Sequence, residues 1–340
     1  MRLAVLGFLA LLIFSLLLIA CGGGSSQTMS APPPPPPVAP NQLGTATAVS
    51  ATCPTGTVAG SCMSLNVTCP NVADYNGAII KITQPSGTSK GTVIFTTGGA
   101  GNDLYETHFV FGSTAVNNVA AAGFTAVQTA FAAGSTGWLT GPAADGPLTL
   151  SCRWATVAQW VHDNVRAANT AFCATGNSAG AGAIAYALAR YGEDSLFNYV
   201  VPTGGPPFSR IDEGCICKGA TINTSCAGAI DPCYGLNANM FLDPAYGNGH
   251  CSNADAADVP LWQADSILSS DGKSVLNYST RVHFIFGSLD TSPGPANAAL
   301  WQQAITSTND AQCVADAPHE IADVQDGATA VASALTQNCH

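Results

Sequence analysis

Three polar residues far apart in the chain have the types and settings that acyl transfer requires. Ser178 lies in Gly176-Asn177-Ser178-Ala179-Gly180, a G-x-S-x-G pattern between a short apolar run and a stretch of small residues. A serine hydroxyl is a poor nucleophile at neutral pH, so a base must take its proton and an acid must orient that base. Asp290 follows the run Val282 to Phe286, in Gly287-Ser288-Leu289-Asp290, and His319 lies in Ala317-Pro318-His319-Glu320. Asp316 and Asp323 are nearer His319 in sequence, but that closeness does not favour the usual geometry. The other histidines fall in less apt places: His162 in a helix, His283 in a strand, His108 before the first helix, His250 in a long irregular segment and His340 at the end.

These residues need a scaffold that brings strand ends together. Ala78 to Thr83 and Thr92 to Thr97 read as strands with a turn at Pro85-Ser86-Gly87. Ser113 to Ala122 reads as a helix, Phe124 to Ala130 as a strand and Arg153 to Val165 as a helix. Thr170 to Thr175 precedes the serine turn, Ala181 to Tyr191 follows it as a helix, and Tyr199 to Pro202 is a short strand. After the strand Arg281 to Phe286 come a helix from Pro295 to Ile305, a weak strand from Cys313 to Ala317 and a terminal helix from Gly327 to Leu335. Strands alternating with helices predict an α/β class: a mostly parallel sheet covered on both faces. The alternation lapses from Pro206 to about Tyr278, a stretch with five cysteines, which reads as a disulfide-held insertion capping the sheet's carboxyl edge.

From about Ile79 to Asn338 the chain resembles the α/β-hydrolase superfamily of serine esterases and lipases. The resemblance rests on G-N-S-A-G at a strand-to-helix turn, G-S-L-D after a late strand and P-H-E near the end, in the chain order of that architecture. It implies Ser178 as nucleophile, His319 as general base and Asp290 as the group that holds the imidazole. The oxyanion of a tetrahedral intermediate also needs donors. One is expected to be the backbone N–H of Ala179. The other is expected from Thr97-Gly98-Gly99-Ala100-Gly101, similar to the superfamily's His-Gly-Gly-Gly loop, with Gly99 and Ala100 both open as the donor. Trp138 is a candidate for the substrate pocket, with core packing as its alternative, and Phe208, Tyr234, Phe241 and Trp262 are candidates for an acyl pocket. The expected activity is cleavage of small or polymeric carboxylic esters through an acyl-enzyme, with no metal or cofactor required. A peptidase or acyltransferase using the same triad, and a binding protein without turnover, are the alternatives.

Composition narrows the setting. Only 9% of the 340 residues are charged against 47% hydrophobic, and the net charge is −11. So few charges exclude a coiled coil or a charged disordered tail, and the negative balance excludes a nucleic-acid partner. Arg2 and the apolar run Leu3 to Ala20 end in Leu18-Ile19-Ala20-Cys21, which resembles the lipobox of bacterial lipoprotein signal peptides. That resemblance implies a signal peptide over 1–20 and lipidation of Cys21. A Pro/Gly/Ser-rich tether would span 21–50, with Pro32 to Pro37 favouring an extended rod, and the hydrolase domain 51–340. The expected location is the bacterial cell envelope, anchored outside the cytoplasmic membrane or on the outer membrane, or release from the cell. Of 13 cysteines, removing Cys21 leaves an even number without zinc-site spacing, as expected for disulfides formed outside the cytoplasm. Cys313 and Cys339 bracket the last strand and helix and are expected to pair, with Cys173 a candidate free thiol in a buried strand.

Overall fold

A computed structural model describes residues 40–99, 101–131, 137–139, 145–217, 221–226, 228–235 and 238–340. The expected signal peptide, Cys21 and most of the tether lie outside these residues. Among the described residues nine strands form one sheet: β1 (Thr45–Ser50), β2 (Ser61–Cys69), β3 (Val72–Thr83), β4 (Gly91–Thr96), β5 (Thr125–Ala130), β6 (Ala171–Asn177), β7 (Tyr199–Thr203), β10 (Arg281–Gly287) and β11 (Asn309–Val314). A small two-stranded ribbon comprises β8 (Ile222–Asn223) and β9 (Ala229–Ile230). The order across the main sheet is β1-β2-β3-β5-β4-β6-β7-β10-β11. Strands β5, β4, β6, β7, β10 and β11 are mutually parallel, while β1, β2 and β3 form an antiparallel meander joined antiparallel to β5.

The helices are α1 (Tyr105–His108), α2 (Gly112–Ala121), α3 (Gly146–Leu150), α4 (Cys152–Asn164), α5 (Ala179–Arg190), α6 (Ile211–Ile216), α7 (Ala238–Tyr246), α8 (Val259–Asp265), α9 (Pro293–Ala304) and α10 (Gln325–Asn338). Buried parallel strands read as continuous apolar runs because both faces are covered. Val93 and Phe95 pack with Val116 of α2 and Leu335 of α10 on one face, while Ile94 packs with Trp154 of α4 and Ile184 of α5 on the other. Phe284, Ile285 and Phe286 alternate in the same way along β10.

The tether was expected to run to residue 50, but Thr45–Ser50 forms β1, in register from Thr45 opposite Thr68 to Ser50 opposite Met63. Five of its six side chains are exposed, so the sequence lacks the alternation that marks a half-buried strand; backbone pairing alone makes it one. The segment 206–278 lies between β7 and β10 and carries α6, α7, α8 and the ribbon. It is fastened to the end of α5, where Arg190 Nη1 donates to the carbonyls of Ala264 (3.0 Å) and Ser266 (3.1 Å).

The twelve described cysteines all pair: Cys53–Cys62, Cys69–Cys152, Cys173–Cys339, Cys215–Cys251, Cys217–Cys233 and Cys226–Cys313. This corrects the expected Cys313–Cys339 bridge and the free thiol at Cys173. Helix α10 does not return beside β11 alone; it crosses back over β10, β7 and β6, which delivers Cys339 to Cys173 in β6. Cys313 on the edge strand is left for Cys226 of the insertion. Two bridges lie within the insertion and a third ties it to the sheet edge.

One buried ion pair fixes the chain after β4. Lys81 Nζ of β3 is 2.9 Å from Glu106 Oε1 of α1, with both side chains essentially inaccessible, and the Glu106 N–H donates to Gln128 Oε1 of β5 (2.9 Å). Removing one partner leaves a buried charge alone, which typically costs about 3–5 kcal/mol. Denaturant titration is expected to show Lys81→Met losing a stability of that order, with the double variant Lys81→Met/Glu106→Leu recovering most of it. A Lys81→Met protein as stable as the parent would contradict this account.

Candidate active site

Ser178 sits between β6 and α5 with φ 52° and ψ −118°, a backbone conformation that costs a non-glycine residue about 1–3 kcal/mol. Hydrogen bonds hold it there: the Ser178 N–H donates to the Thr203 carbonyl of β7 (2.8 Å), and its own carbonyl accepts from the Gly182 N–H (3.0 Å). The flanking glycines are needed for space. A Cβ on Gly176 would lie 2.6 Å from the Gly180 backbone, and one on Gly180 would lie 2.5 Å from the Thr97 carbonyl oxygen. The turn therefore packs α5 tightly against β6 and β4.

Asp290 follows β10 and His319 follows β11. Their loops lie against each other: the Leu289 N–H donates to the Ala317 carbonyl (3.0 Å), and a Cβ on Gly287 would come within 2.3 Å of that oxygen. Asp290 is 1% exposed; its Oδ2 is 2.8 Å from His319 Nδ1, and its Oδ1 accepts from the Ser292 N–H (2.9 Å). A carboxylate only accepts, so this bond sets the proton of a neutral His319 on Nδ1 and leaves Nε2 with its lone pair. Burial opposes the charged imidazolium, but the hydrogen bond to Asp290 and the charges of Asp290 and Glu320 outweigh it. The pKa of His319 is raised above the ordinary histidine value.

Ser178 and His319 line the same cavity, of about 400 Å³. Between them runs the pair Gly204-Gly205 after β7: a Cβ on Gly204 would lie 3.2 Å from His319 Nδ1, and one on Gly205 would lie 2.8 Å from the Ser178 carbonyl oxygen. Among the described residues no hydrogen bond joins Ser178 Oγ to His319. Such contacts are often long in unliganded sites and tighten when substrate binds. Asp316 and Asp323 do not bond His319. Asp316 is exposed, with its backbone N–H donating to Ser288 Oγ (2.8 Å), and Asp323 Oδ1 accepts from the Val110 N–H (3.0 Å). His162, His250 and His283 face Asp163, Asp258 and Asp310 respectively.

Ala179, the first residue of α5, lines the cavity together with Gly98 and Gly99, the latter at φ +56°. Ala100, the alternative donor to Gly99, lies outside the described residues. Phe208, Tyr234 and Phe241 of the insertion line the cavity, joined by Pro207 and Leu242. Trp262 does not, being wholly buried in the core. Nor does Trp138. Its ring is fully buried 2.9 Å from where a Cβ on Gly101 would stand, and its carbonyl accepts from Arg153 Nη1 (3.2 Å). Trp138 therefore packs the core beneath the loop after β4, which corrects its assignment to the substrate pocket. No group of three or more His, Cys, Asp or Glu that could hold a metal ion occurs among the described residues.

Ser292 is the neighbour that sequence reading missed. Its Oγ is 3.0 Å from His319 Nδ1 and accepts from the Gly294 N–H (3.3 Å), while its own N–H holds Asp290. The signal was present in Asp290-Thr291-Ser292-Pro293: a serine before a proline at a helix start, two residues after a carboxylate, is both an N-cap and the donor of an Asx turn.

No protein-family model matches the chain, and no curated protein does. Solved structures do. A puromycin hydrolase is 13% identical with a TM-score of 0.53, over 80% of this chain and 38% of that one. A puromycin-hydrolyzing peptidase of Mycobacterium tuberculosis is 12% identical with a TM-score of 0.51, over 77% and 37%. Est1E from Butyrivibrio proteoclasticus is 10% identical with a TM-score of 0.49, over 81% and 98%. The chain thus spans well under half the length of the two puromycin-cleaving proteins. At these identities the likeness concerns architecture: the mostly parallel sheet covered by helices on both faces is an α/β-hydrolase fold.

Proposed function

We propose that the chain is a serine hydrolase that cleaves carboxylic esters through an acyl-enzyme. The observation that carries this reading is His319, bonded to the buried Asp290, lining one cavity with a serine held at a strained strand-to-helix turn. In the proposed sequence His319 Nε2 takes the proton of Ser178 Oγ as that oxygen bonds to the substrate carbonyl carbon. The oxyanion points at the N–H of Ala179 and a second N–H, that of Gly99 or Ala100, where the amino terminus of α5 adds a favourable field. Collapse breaks the ester C–O bond, and the proton on Nε2 goes to the departing alcohol. Water then repeats the steps, releasing the acid and restoring Ser178. Similarity to peptidases makes amide cleavage the second reading, and an amide substrate in the same assay separates the two. We also propose that lipid on Cys21 and the proline-rich segment after it hold this domain at the outside of a bacterial envelope membrane. Six disulfides support that oxidising setting.

Ser178→Ala is expected to lower kcat on nitrophenyl butyrate by at least about 10⁴-fold and to abolish labelling by a fluorophosphonate. Equal labelling of variant and parent would refute the nucleophile. The base must be neutral to work, and its pKa is raised, so kcat/KM is expected to fall on acidification with a midpoint above about 6.5. A profile flat down to pH 5 would exclude His319 as the base. Ser292 Oγ offers the Nδ1 proton a second acceptor, and a hydrogen bond contributes about 0.5–1.5 kcal/mol. Ser292→Ala is therefore expected to lower kcat about 2- to 10-fold and to move the acid limb to lower pH, with Ser292→Thr restoring both. An Ala variant with unaltered kcat and pH profile would leave Ser292 a helix cap only.

A further inference from the structure

We infer that the cavity selects its substrates by charge and takes esters whose alcohol carries a positive charge, with Glu320 as the specificity-determining residue. The inference rests on the hydrolase reading and adds the substrate class. Glu320 lines the cavity beside His319 and is only partly exposed; it forms no ion pair among the described residues. Also on the wall outside the triad is His108, whose Nδ1 faces a second carboxylate, Asp103 Oδ2, at 3.2 Å. Among the described residues no lysine or arginine lines this cavity.

The rest of the wall screens this charge poorly. Phe208, Phe241 and Leu242 are apolar, and the Tyr234 hydroxyl is committed to the Pro207 carbonyl. A carboxylate against such a wall interacts more strongly with a charged ligand than it would in water. Its location decides which part of the ester it meets. His319 delivers its proton to the leaving oxygen, so the alcohol occupies the histidine's side of the site. Glu320 follows His319 in the chain, and both also line an adjoining open cleft of about 510 Å³ with Leu289, Thr291 and Pro318. A cationic alcohol would therefore sit against an unpaired carboxylate, whereas an anionic one would be repelled by Glu320 and by the chain's net charge of −11.

Butyrylcholine and 3,3-dimethylbutyl butyrate test this, because they share an acyl group and differ in a trimethylammonium against a tert-butyl head of the same shape. Their kcat/KM values, measured by proton release at low salt in the parent and in Glu320→Gln, give a charged-to-neutral ratio for each protein. Comparing the two ratios cancels the intrinsic reactivity of the esters and any shared change in His319 basicity. The ratio is expected to fall about tenfold in Glu320→Gln, and to shrink in the parent as sodium chloride is added. An equal ratio in the two proteins overturns the inference. So does turnover of nitrophenyl butyrate with neither alkyl ester cleaved, and both results leave the hydrolase reading standing. Failure to cleave any of the three esters overturns the hydrolase reading itself, and the charge selection with it.

Discussion

Two glycine backbones in van der Waals contact, Gly176 at the end of β6 and Gly180 in the first turn of α5, set the geometry on which the site depends. The helix meets the strand at a separation that excludes a methyl group, and Ser178 between them stands at φ 52° and ψ −118°. It holds this strained conformation because its N–H and carbonyl are both hydrogen-bonded. The strain of about 1–3 kcal/mol is small beside the burial that offsets it, since every residue of α5 is buried. Small side chains at Ala179, Ala181 and Ala183 allow that depth of packing, and the hydroxyl is thereby presented at the rim of the sheet.

The partners of Ser178 reach the same rim because β7, β10 and β11 are parallel neighbours. Parallel strands send their following loops to one edge, where the side chains of distant segments can meet. The precision comes from backbone contact: the loops after β10 and β11 close on Gly287, and His319 stands over Gly204 and Gly294 where larger residues would intrude. Of the three aspartates near His319 in the fold or the sequence, Asp290 is the one bonded to its ring; Asp316 is exposed, and Asp323 Oδ1 accepts from the Val110 N–H.

Much of this was legible in the sequence because each feature has a local cause. Helical spacing from Trp154 to Val161, β-branched runs at Thr92 and Val282, and glycines flanking Ser178 each report a short-range constraint. The insertion announced itself through its cysteines and lapsed alternation. What stayed hidden is non-local. Strand β1 is made by its pairing with β2 and has almost no buried side chain to reveal it. The disulfide partners follow from the path of α10 across the sheet, which no spacing encodes. Trp138 reads equally well as pocket or core until the loop above it is placed, and Ser292 does two jobs that only the folded loop combines. The surroundings of Ser178 and three residues of the cavity wall, Phe208, Tyr234 and Phe241, were therefore readable, whereas the core placement of Trp138 and Trp262 was not.

The scarcity of charge links the scaffold to the site. Nearly every described cation is committed to structure. Lys81 neutralises buried Glu106, and Arg153 and Arg190 bind backbone carbonyls beneath the fold. Arg210 pairs with Asp212 and Glu213, Lys273 with Asp271, and Lys90 caps the Ala122 carbonyl. None of the described lysines and arginines lines the cavity, and the carboxylates on or beside its wall are Asp290, Glu320 and Asp103. Two consequences follow from the same distribution. Nearby carboxylates favour the protonated imidazole, which raises the basicity of His319, and they favour whatever positive charge a bound molecule brings. A site that gains a stronger base in this way also acquires a preference for the charge of its ligand, because both depend on one local potential.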